Sequence, residues 1–323
     1  MVAKCHFATL LPQRCGPFHI GVCAMLVAIT FKRQKLVSHF NGILMSSTIN
    51  LCLKLCPWAK FRKAKGGVKM HTLLDLRGNL PVSVYLTEAS VNDVKVLDDL
   101  YIEPSAIYLM DREYVDYNRL FKLIHKKQAF FVTRIKDKTL FEVTSSITVD
   151  KSIGVIADER IKLTGARTAI WYPEELRMVT YEDYANNVVY RFITNNTEYD
   201  PLTIAELYRE RWNIELFFKW IKQHLHIKSF YGTSQNAVYL QIWIAVCTYL
   251  ILAYAKKKYC IEQSLHTISK NVGLSLTDKT PINKLFSNQF HKKNQAMRVR
   301  FLSIPIWAYL DCMISKRDSS GFD

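Results

Sequence analysis

Four polar side chains with a fixed spacing are the best candidates for chemistry in this sequence: Tyr208, Arg211, Glu215 and Lys222. At about 100° per residue, a helix would bring all four into one strip about 60° wide. A carboxylate between two cations and a phenol combines a ligand for a hard metal ion with groups that bind phosphate. Spacing alone leaves open a simpler alternative, a solvated helix face with ion pairs.

A helix over residues 202–228 is predicted to carry this strip. Thr203 and Glu206 have the spacing of a capping box, and the chain stop Asp200-Pro201 precedes them. On the same helical wheel the apolar residues form a narrow stripe beside the polar strip: Leu207, Ile214, Phe218, Ile221 and Leu225. We therefore expect one long amphipathic helix that packs its apolar stripe on a core.

A second carboxylate, Asp111, follows the short and wholly apolar run at 106–110. Such a run is typical of a central strand that is covered on both faces. A carboxylate at the carboxyl end of a buried strand, next to a predicted helix at 117–127, lies where α/β sheets place their ligand sites. The alternative is an aspartate that caps the helix after it.

The spacing Tyr-x2-Arg-x3-Glu-x6-Lys resembles the signature of the insertion-sequence-four transposases, a branch of the DDE transposases, and so does the surrounding text ELFFKWIKQHLHIKSFYGTSQNAVYLQIWIA. Asp111-Arg112-Glu113 resembles the second catalytic aspartate of that family and its flank. The resemblance runs from about Ser46 to about Leu285. It implies an α/β fold with a ribonuclease-H-like mixed sheet flanked by helices and a β-rich insertion subdomain.

Members of this family cut and transfer DNA strands with three carboxylates that hold two Mg²⁺ or Mn²⁺ ions about 3.5–4 Å apart. The resemblance implies that Asp111 and Glu215 are catalytic metal ligands. It also implies that Tyr208, Arg211 and Lys222 bind phosphates of the transposon end. The expected partners are double-stranded DNA, as transposon ends and as target, and a second copy of the chain in a homodimer.

The first of the three carboxylates should stand directly before Ser46, and this sequence has Met45 there. Residues 1–74 contain no Asp or Glu, so no neighbour on this strand replaces it. A thioether does not hold Mg²⁺, and the nearest carboxylates in sequence are Asp75, at the far end of the second predicted strand, and Asp93. We therefore expect a transposase by descent with impaired cleavage; the alternative is a non-catalytic DNA-binding remnant.

Alternating apolar and polar residues predict an antiparallel meander of strands at 46–53, 67–76 and 81–86. A helix at 90–100 and a strand at 129–135 complete the first half. Between 136 and 196 the alternation is again β-like, in segments that include RTAIWY at 167–172. We divide the chain into a degenerate or poorly ordered N-terminal segment (1–45), the first part of a catalytic core (46–135), a β-rich insertion (136–198), the second part of the core (199–285) and a basic C-terminal tail (286–323).

The chain of 323 residues has a net charge of +16 and a pI near 9.4, so it attracts polyanions. Lys60, Arg62 and Lys63 alternate with aromatic residues in one loop, which indicates contacts with a DNA backbone; a solvated basic loop is the alternative. Trp171-Tyr172 is a candidate surface for stacking an unpaired base. Packing in the core is the more common fate of such a pair.

Eight cysteines show no CxxC pair and no zinc-ligand spacing, which is typical of reduced, mostly buried thiols in a cytoplasmic protein. The stretch 237–255 carries no charge and precedes three lysines, so taken alone it favours a membrane helix. Gln241 and Thr248 interrupt it, and in the resembling family this helix is buried. We therefore predict a core helix, no membrane partner and a cytoplasmic location. The shorter apolar run at 18–31 has the alternative of a signal-peptide core.

Overall fold

A mixed β-sheet forms the centre of the protein. The computed structural model describes residues 41–62, 65–224 and 230–275, without the side chains of Arg62 and His224. Within these residues the sheet has ten strands. They are β1 (Asn41–Leu51), β2 (Lys60–Arg62), β3 (Lys65–Asp75), β4 (Leu80–Glu88), β5 (Ile107–Met110), β6 (Phe130–Arg134), β7 (Phe141–Ile147), β8 (Val155–Leu163), β9 (Leu176–Asp183) and β10 (Val188–Thr194).

The helices of the described residues are of very unequal length. They are α1 (Tyr117–Arg119, continued by a π-helical turn at Leu120–Ile124 and a 3-10 turn at His125–Lys127), α2 (Thr168–Trp171), α3 (Pro201–Arg209), α4 (Trp212–His224), α5 (Gln235–Lys258) and α6 (Leu265–Leu274). Further 3-10 turns span Pro57–Ala59, Asp93–Asp98, Arg112–Tyr114 and Lys151–Ile153. The helix predicted at 90–100 is the second of these turns.

Three parallel strands lie side by side in the middle of the sheet, in the order β1, β5 and β6. On one side β1 pairs antiparallel with β3, which also pairs with β4 and, at its start, with β2. On the other side β6 pairs antiparallel with β10, and β9, β8 and β7 follow. The predicted α/β class, with a large mixed sheet flanked by helices, is confirmed, and the ribonuclease-H-like assignment stays a prediction.

Burial explains why β5 lies at the centre. All four of its residues, Ile107–Met110, are at most 1% exposed, and Ile43 and Leu44 on the neighbouring β1 are fully buried. A strand covered on both faces has no polar position, which is why its sequence is an unbroken apolar run. The strand prediction at 106–110 and the antiparallel meander before it are confirmed.

The β-rich region after β6 extends the sheet of the core, because β10 pairs directly with β6. One predicted strand in it is wrong: the segment RTAIWY contains helix α2. Its turn is closed by hydrogen bonds from Ala169 N to Gly165 O and from Tyr172 N to Thr168 O. These local bonds, together with burial of Tyr172, outweigh the β-propensity of the segment. The domain boundaries stay a prediction.

The long helix predicted at 202–228 is divided in two. Its cap is Asp200, whose carboxylate accepts hydrogen bonds from Leu202 N and Thr203 N, with Pro201 in the first turn. A capping box is therefore the wrong interpretation, because the residue before Pro201 already satisfies these donors. Helix α3 ends at Arg209 and α4 begins at Trp212, so Arg211 lies in the turn between them.

A buried ion pair fixes the approach to α3. Asp158 on β8 and Arg177 on β9 are 2% and 4% exposed and form two hydrogen bonds, at 2.8 and 2.7 Å. Arg177 Nη1 also donates to the carbonyl of Tyr199, the residue before the Asp200 cap. The pair thus ties the two inserted strands to the start of the helix that leads into the site.

Asp158→Ala is expected to lower the free energy of unfolding by about 3–5 kcal/mol, because it leaves the Arg177 cation buried and uncompensated. Urea denaturation of the full chain measures this change. The matched control is Asp137→Ala, which breaks the exposed pair of Asp137 (87% exposed) with Arg112 and is expected to cost less than about 1 kcal/mol. Equal losses in the two variants would contradict the structural role of the buried pair.

The described residues up to Val246 belong to one compact unit and those from Cys247 to a second. In the second, α6 is capped by Ser264, whose hydroxyl accepts from Thr267 N, and Ile268 is buried. Helix α5 is the single helix of the described chain that is long and apolar enough to cross a membrane by length and composition; 44% of its most apolar window is buried.

Four cysteines fall within the described residues, and all are free thiols: Cys52, Cys56, Cys247 and Cys260. The prediction of reduced thiols stays a prediction. Cys56 alone of these four is buried, so the prediction of mostly buried thiols is wrong for this part of the chain. The predicted apolar run at 18–31, Leu225, His226 and the basic tail lie outside the described residues.

Candidate active site

The carboxyl ends of the three parallel strands bring the candidate residues into one row. The pairing of β1 with β5 matches Leu44 with Met110, so Met45 lies next to Asp111. The pairing of β5 with β6, carried two residues further, places Arg134 on the other side of Asp111. Position 45, where the sequence lacks the expected acid, is therefore a direct neighbour of the second carboxylate.

Asp111 is available for chemistry. It stands just before the 3-10 turn Arg112–Tyr114 with an extended backbone, and its side chain makes no capping hydrogen bond. The side chain is 22% exposed. The interpretation of Asp111 as a helix cap is thus not supported, and the carboxylate is directed to a partner elsewhere in the fold.

That partner is Arg211. Its Nη1 donates to Glu215 Oε1 at 2.6 Å and lies 4.0 Å from Asp111 Oδ2. The same nitrogen lies 3.5 Å from Met45 Sδ. Glu215 is in the first turn of α4, where the helix dipole favours a carboxylate. The structure therefore brings Asp111 and Glu215 to one guanidinium group, although they come from different elements.

Tyr208 lies beside this group but in the core. It is 6% exposed, its ring centroid is 4.8 Å from that of Phe192, and Arg211 Cζ and Arg134 Cζ lie 5.7 and 6.0 Å from it. Burial raises the pKa of Tyr208, and the two arginines oppose this only in part. The phenol is therefore neutral at physiological pH and can donate a hydrogen bond.

Arg134 is a site residue that the sequence interpretation missed. Its Nε and the Tyr208 Oη are buried, and neither has a hydrogen-bond partner of ordinary geometry among the described residues. Arg134 also acts directly on the Tyr208 phenol, since its charge and a side-chain hydrogen bond both lower the pKa of that group. The two side chains therefore form one buried donor pair beside Asp111. The position of Arg134 in the sequence could have identified it. Arg134 is the last residue of β6, and Asp111 directly follows the last residue of β5.

Tyr208→Phe is expected to leave the free energy of unfolding unchanged or to raise it by about 1 kcal/mol, because it removes a buried hydroxyl that lacks a partner. The matched control is Tyr117→Phe, since Tyr117 Oη lies 3.2 Å from Thr139 Oγ1 and its removal is expected to cost about 1 kcal/mol. Urea denaturation of both variants measures the difference. An equal loss in the two would show that the Tyr208 hydroxyl is satisfied in the protein.

Lys222 reaches the first strand. Its Nζ donates to Ser47 Oγ at 2.7 Å and to the carbonyl of Thr48 at 2.9 Å. Ser47 and Met45 are two apart on β1 and so lie on the same face of the sheet. Lys222 therefore holds α4 against β1, the strand that carries Met45.

The basic loop is not part of this cluster as far as the described residues show. Lys60 is exposed on β2, and the side chains of Arg62 and Lys63 lie outside the description. Trp58 packs instead of stacking on a ligand: its Nε1 donates to Thr233 O at 2.8 Å, and its ring is edge-on to Tyr239.

Trp171 and Tyr172 have opposite environments. Tyr172 is fully buried and packs edge-on against Phe121 and Phe131, whereas Trp171 is 40% exposed. Tyr172 therefore takes the core role that was the alternative for this pair. A stacking role for Trp171 stays a prediction.

Neither of the two aspartates nearest to position 45 in sequence is placed to substitute for an acid there. Asp75 is opposite Gly42, three residues before Met45 on β1, and its carboxylate is held by Arg77 at 2.8 Å. Asp93 is held by Lys69 Nζ at 3.2 Å. The prediction that Asp75 lies at the far end of its strand is confirmed.

A buried polar network holds the turn that follows Asp111. Tyr114 Oη lies 3.0 Å from His71 Nδ1 on β3, and His71 Nε2 lies 3.0 Å from Thr87 Oγ1 on β4. Burial lowers the pKa of His71 to about 4, while Asp93 raises it and Lys69 lowers it less strongly. The imidazole is therefore neutral, and it fixes the position of Asp111 from the neighbouring strands.

The free energy of unfolding is expected to fall by about 3 kcal/mol as the pH drops from about 6.5 to 4 through His71. Because burial depresses the pKa of the folded state, the unfolded chain binds the extra proton throughout this window, and stability is complete only above it. Urea denaturation at a series of pH values measures the slope. His71→Gln should remove this part of it; an unchanged slope in that variant would contradict the assignment.

The donor set does not fit a pair of divalent ions. No cluster of three or more His, Cys, Asp and Glu that could hold a metal occurs in the described part of the chain. The site offers two carboxylates, a thioether and a guanidinium. A thioether is a poor ligand for Mg²⁺ and Mn²⁺, which prefer oxygen, and the guanidinium keeps its positive charge.

Comparison with known proteins agrees with the sequence resemblance. Residues 47–251 match the family model described as transposase DDE domain. The chain is 36% identical over 208 residues to a putative transposase, y4zB, of Sinorhizobium fredii, covering 63% of this chain and 58% of that protein. It is 28% identical over 244 residues to a probable transposase for insertion sequence element IS5377 of Geobacillus stearothermophilus, covering 76% and 62%.

A third relative is a putative transposase for element IS4SA of a Synechocystis species, 25% identical over 221 residues, with 66% of this chain and 57% of that protein covered. The chain thus spans about three fifths of the length of these curated relatives. Among solved structures, a piggyBac transposase synaptic complex with hairpin DNA matches with a TM-score of 0.46 and 9% identity, covering 95% of this chain and 62% of that one.

The predicted likeness to insertion-sequence transposases is confirmed by these relatives, while assignment to the insertion-sequence-four branch stays a prediction. The matched region includes both Asp111 and Glu215 and the whole sheet from β2 to β10. Since the family model covers well over half of the chain, this chain belongs to the transposase DDE domain family.

Proposed function

We propose that this chain is the core of an insertion-sequence DNA transposase and that it binds double-stranded DNA at the ends of its element. The observation that carries the proposal is the convergence of Asp111, Glu215, Tyr208 and Arg211 at the carboxyl ends of the parallel strands. These residues come from the end of β5, from α3, from α4 and from the turn between the two helices, and the family match spans all of them. A solvated helix face would not bring Asp111 and Glu215 to one nitrogen atom of Arg211.

Binding of DNA phosphates falls to the donors beside the carboxylates. Arg134 and Tyr208 place buried donor atoms next to each other beside Asp111, and Arg211 can bind a phosphate through two N–H groups. Lys222 holds α4 to β1 through Ser47 and Thr48 and adds positive charge there. The net charge of +16 supplies the long-range attraction to DNA.

Asp111 and Glu215 are proposed as the carboxylates of strand cleavage and transfer, with Mg²⁺ or Mn²⁺ as the family's expected cofactor. The proposal takes Met45 as the position of a lost third carboxylate; Arg211 Nη1 contacts Met45 Sδ and lies between Asp111 and Glu215. We therefore propose that DNA binding is retained and that cleavage is impaired, which favours the DNA-binding remnant as the second candidate function. A homodimer and a cytoplasmic location are part of the same proposal.

The test uses purified full chain with two DNA duplexes of equal length, one carrying the terminal sequence of its own element and one scrambled. Fluorescence anisotropy in EDTA is expected to show tighter binding to the element end. Equal affinity for both duplexes would contradict the proposed function. Adding Mg²⁺ or Mn²⁺ is expected to give nicking close to background, and clean nicking or strand transfer would contradict the impairment.

A further inference from the structure

We propose that Arg211 is the resident cation of the acidic site: its guanidinium takes the place between Asp111 and Glu215 that a divalent ion would need, and Met45 secures it there. The inference rests on the proposed function, since it treats the two acids as the remaining part of a metal site. It goes further by naming the group that occupies the ion's place in this chain and the single substitution expected to favour an ion instead.

The geometry places one atom at the centre of the site. Arg211 Nη1 lies 2.6 Å from Glu215 Oε1, 4.0 Å from Asp111 Oδ2 and 3.5 Å from Met45 Sδ. These three neighbours come from α4, from the end of β5 and from β1. A DDE site would present its carboxylates at these three positions. In this chain the positively charged Arg211 guanidinium lies between them.

The guanidinium and a divalent ion exclude each other at Glu215. An Mg²⁺ ion binds a carboxylate oxygen at about 2.0–2.1 Å, and Arg211 Nη1 is already in hydrogen-bond contact with Oε1. Two cations sharing that oxygen would also repel each other strongly in a site whose Arg211 side chain is only 17% exposed. Metal binding at Glu215 therefore requires the Arg211 guanidinium to move away. Its positive charge must then be compensated by other groups or by solvent.

Met45 decides which cation is held. Its thioether accepts a weak hydrogen bond from Arg211 and contributes neither charge nor a hard ligand. With two carboxylates, a single guanidinium neutralises half of the negative charge and needs no dehydration of a metal ion. An aspartate at position 45, next to Asp111 in the β1–β5 register, adds a third oxygen ligand and a third negative charge, which favours a divalent ion.

The test is titration of the full chain with MnCl₂ in the absence of DNA, followed by calorimetry or by the electron paramagnetic resonance signal of free Mn²⁺. Met45→Asp is expected to bind Mn²⁺ at least tenfold more tightly than the wild-type chain. Met45→Asn, of the same size but uncharged, is the matched control and is expected to bind as the wild type does. Asp111→Asn in the Met45→Asp background is expected to abolish the gain.

Two outcomes would overturn the inference. The first is tight Mn²⁺ binding by the wild-type chain that Asp111→Asn or Glu215→Gln abolishes, because Arg211 would then not exclude the ion. The second is a folded Met45→Asp chain, judged by its circular dichroism and urea midpoint, with no gain in Mn²⁺ affinity.

A second variant keeps the inference testable if Met45→Asp does not fold. Arg211→Gln in the otherwise unchanged chain frees both carboxylates and is expected to raise Mn²⁺ affinity about threefold or more; no gain would overturn the inference. Binding of the wild-type chain to element-end DNA in EDTA is measured in parallel. If the Mn²⁺ affinities are as expected but the chain does not prefer element-end DNA, the proposed function alone is refuted. If the chain prefers element-end DNA but the variants do not gain Mn²⁺ affinity, the role of Arg211 as resident cation alone is refuted.

Discussion

Met45→Asp is expected to raise metal-dependent nicking of element-end DNA by at least about 100-fold over the wild-type chain. Catalytic groups that act as a unit lose orders of magnitude in rate when one is removed, and Met45, the neighbour of Asp111 in the β1–β5 register, is the position where we propose that a third carboxylate has been lost. With an aspartate at position 45, β1 would supply an oxygen ligand in addition to Asp111, which follows β5, and Glu215 on α4. Single-turnover nicking of labelled duplex in Mg²⁺ and in Mn²⁺ measures the change.

The controls separate a restored site from a general effect of charge. Met45→Asn is expected to nick at the wild-type rate, and Glu215→Gln added to Met45→Asp is expected to return nicking to background. Equal rates for the wild-type chain and Met45→Asp, with equal DNA affinity, would contradict the view that position 45 limits cleavage. Nicking by Met45→Asp that survives Glu215→Gln would show that cleavage occurs elsewhere.

Raising the NaCl concentration from about 50 to 200 mM is expected to weaken binding to double-stranded DNA by about 1,000-fold or more. The net charge of +16 and the exposed lysines indicate many contacts with phosphates, each of which releases counterions from the duplex. The measurement is fluorescence anisotropy of a labelled duplex at five salt concentrations. The slope of log affinity against log salt gives the number of phosphates contacted.

Two exposed lysines provide a matched pair for that experiment. Lys60 lies on strand β2, in the basic segment that the sequence predicted as a loop, and Lys95 lies in the 3-10 turn Asp93–Asp98; both are exposed. Lys60→Gln is expected to reduce the magnitude of the slope by about 1, whereas Lys95→Gln should leave it unchanged. A salt-independent affinity would contradict a phosphate-dominated interface, and equal effects of the two variants would remove the basic loop from it.

Local patterns were sufficient for the strands of the core. β5 is an unbroken apolar run because both of its faces are covered, and the meander β1, β3 and β4 shows the spacing of strands joined in sequence. Each of these features is decided by burial within a few residues. The same reasoning failed for α2, where hydrogen bonds to Gly165 and burial of Tyr172 outweigh β-propensity.

The break between α3 and α4 was hidden because apolar positions on both sides of it keep helical spacing. The wheel placed Tyr208 in the polar strip, and the structure buries it beside Phe192. Arg211 could therefore be paired with Glu215 from the sequence, but its contact with Asp111 and Met45 depends on how the turn between the helices lies over β1 and β5.

Contacts across the sheet explain what sequence reasoning missed in the site. Arg134 becomes a neighbour of Asp111 only through the parallel pairing of β5 with β6. Lys222 was expected on a phosphate, whereas here it donates to Ser47 and Thr48 of β1. Such partners lie far apart in the chain, and no periodicity within one element reports them.

Crystals of the wild-type chain and of Met45→Asp soaked in MnCl₂ test most directly whether Arg211 holds the place of an ion. We expect an anomalous manganese peak between Asp111 and Glu215 in Met45→Asp, with the guanidinium moved away, and no peak there in the wild type. A manganese ion bound by both carboxylates of the wild-type chain, beside an unchanged Met45, would contradict this.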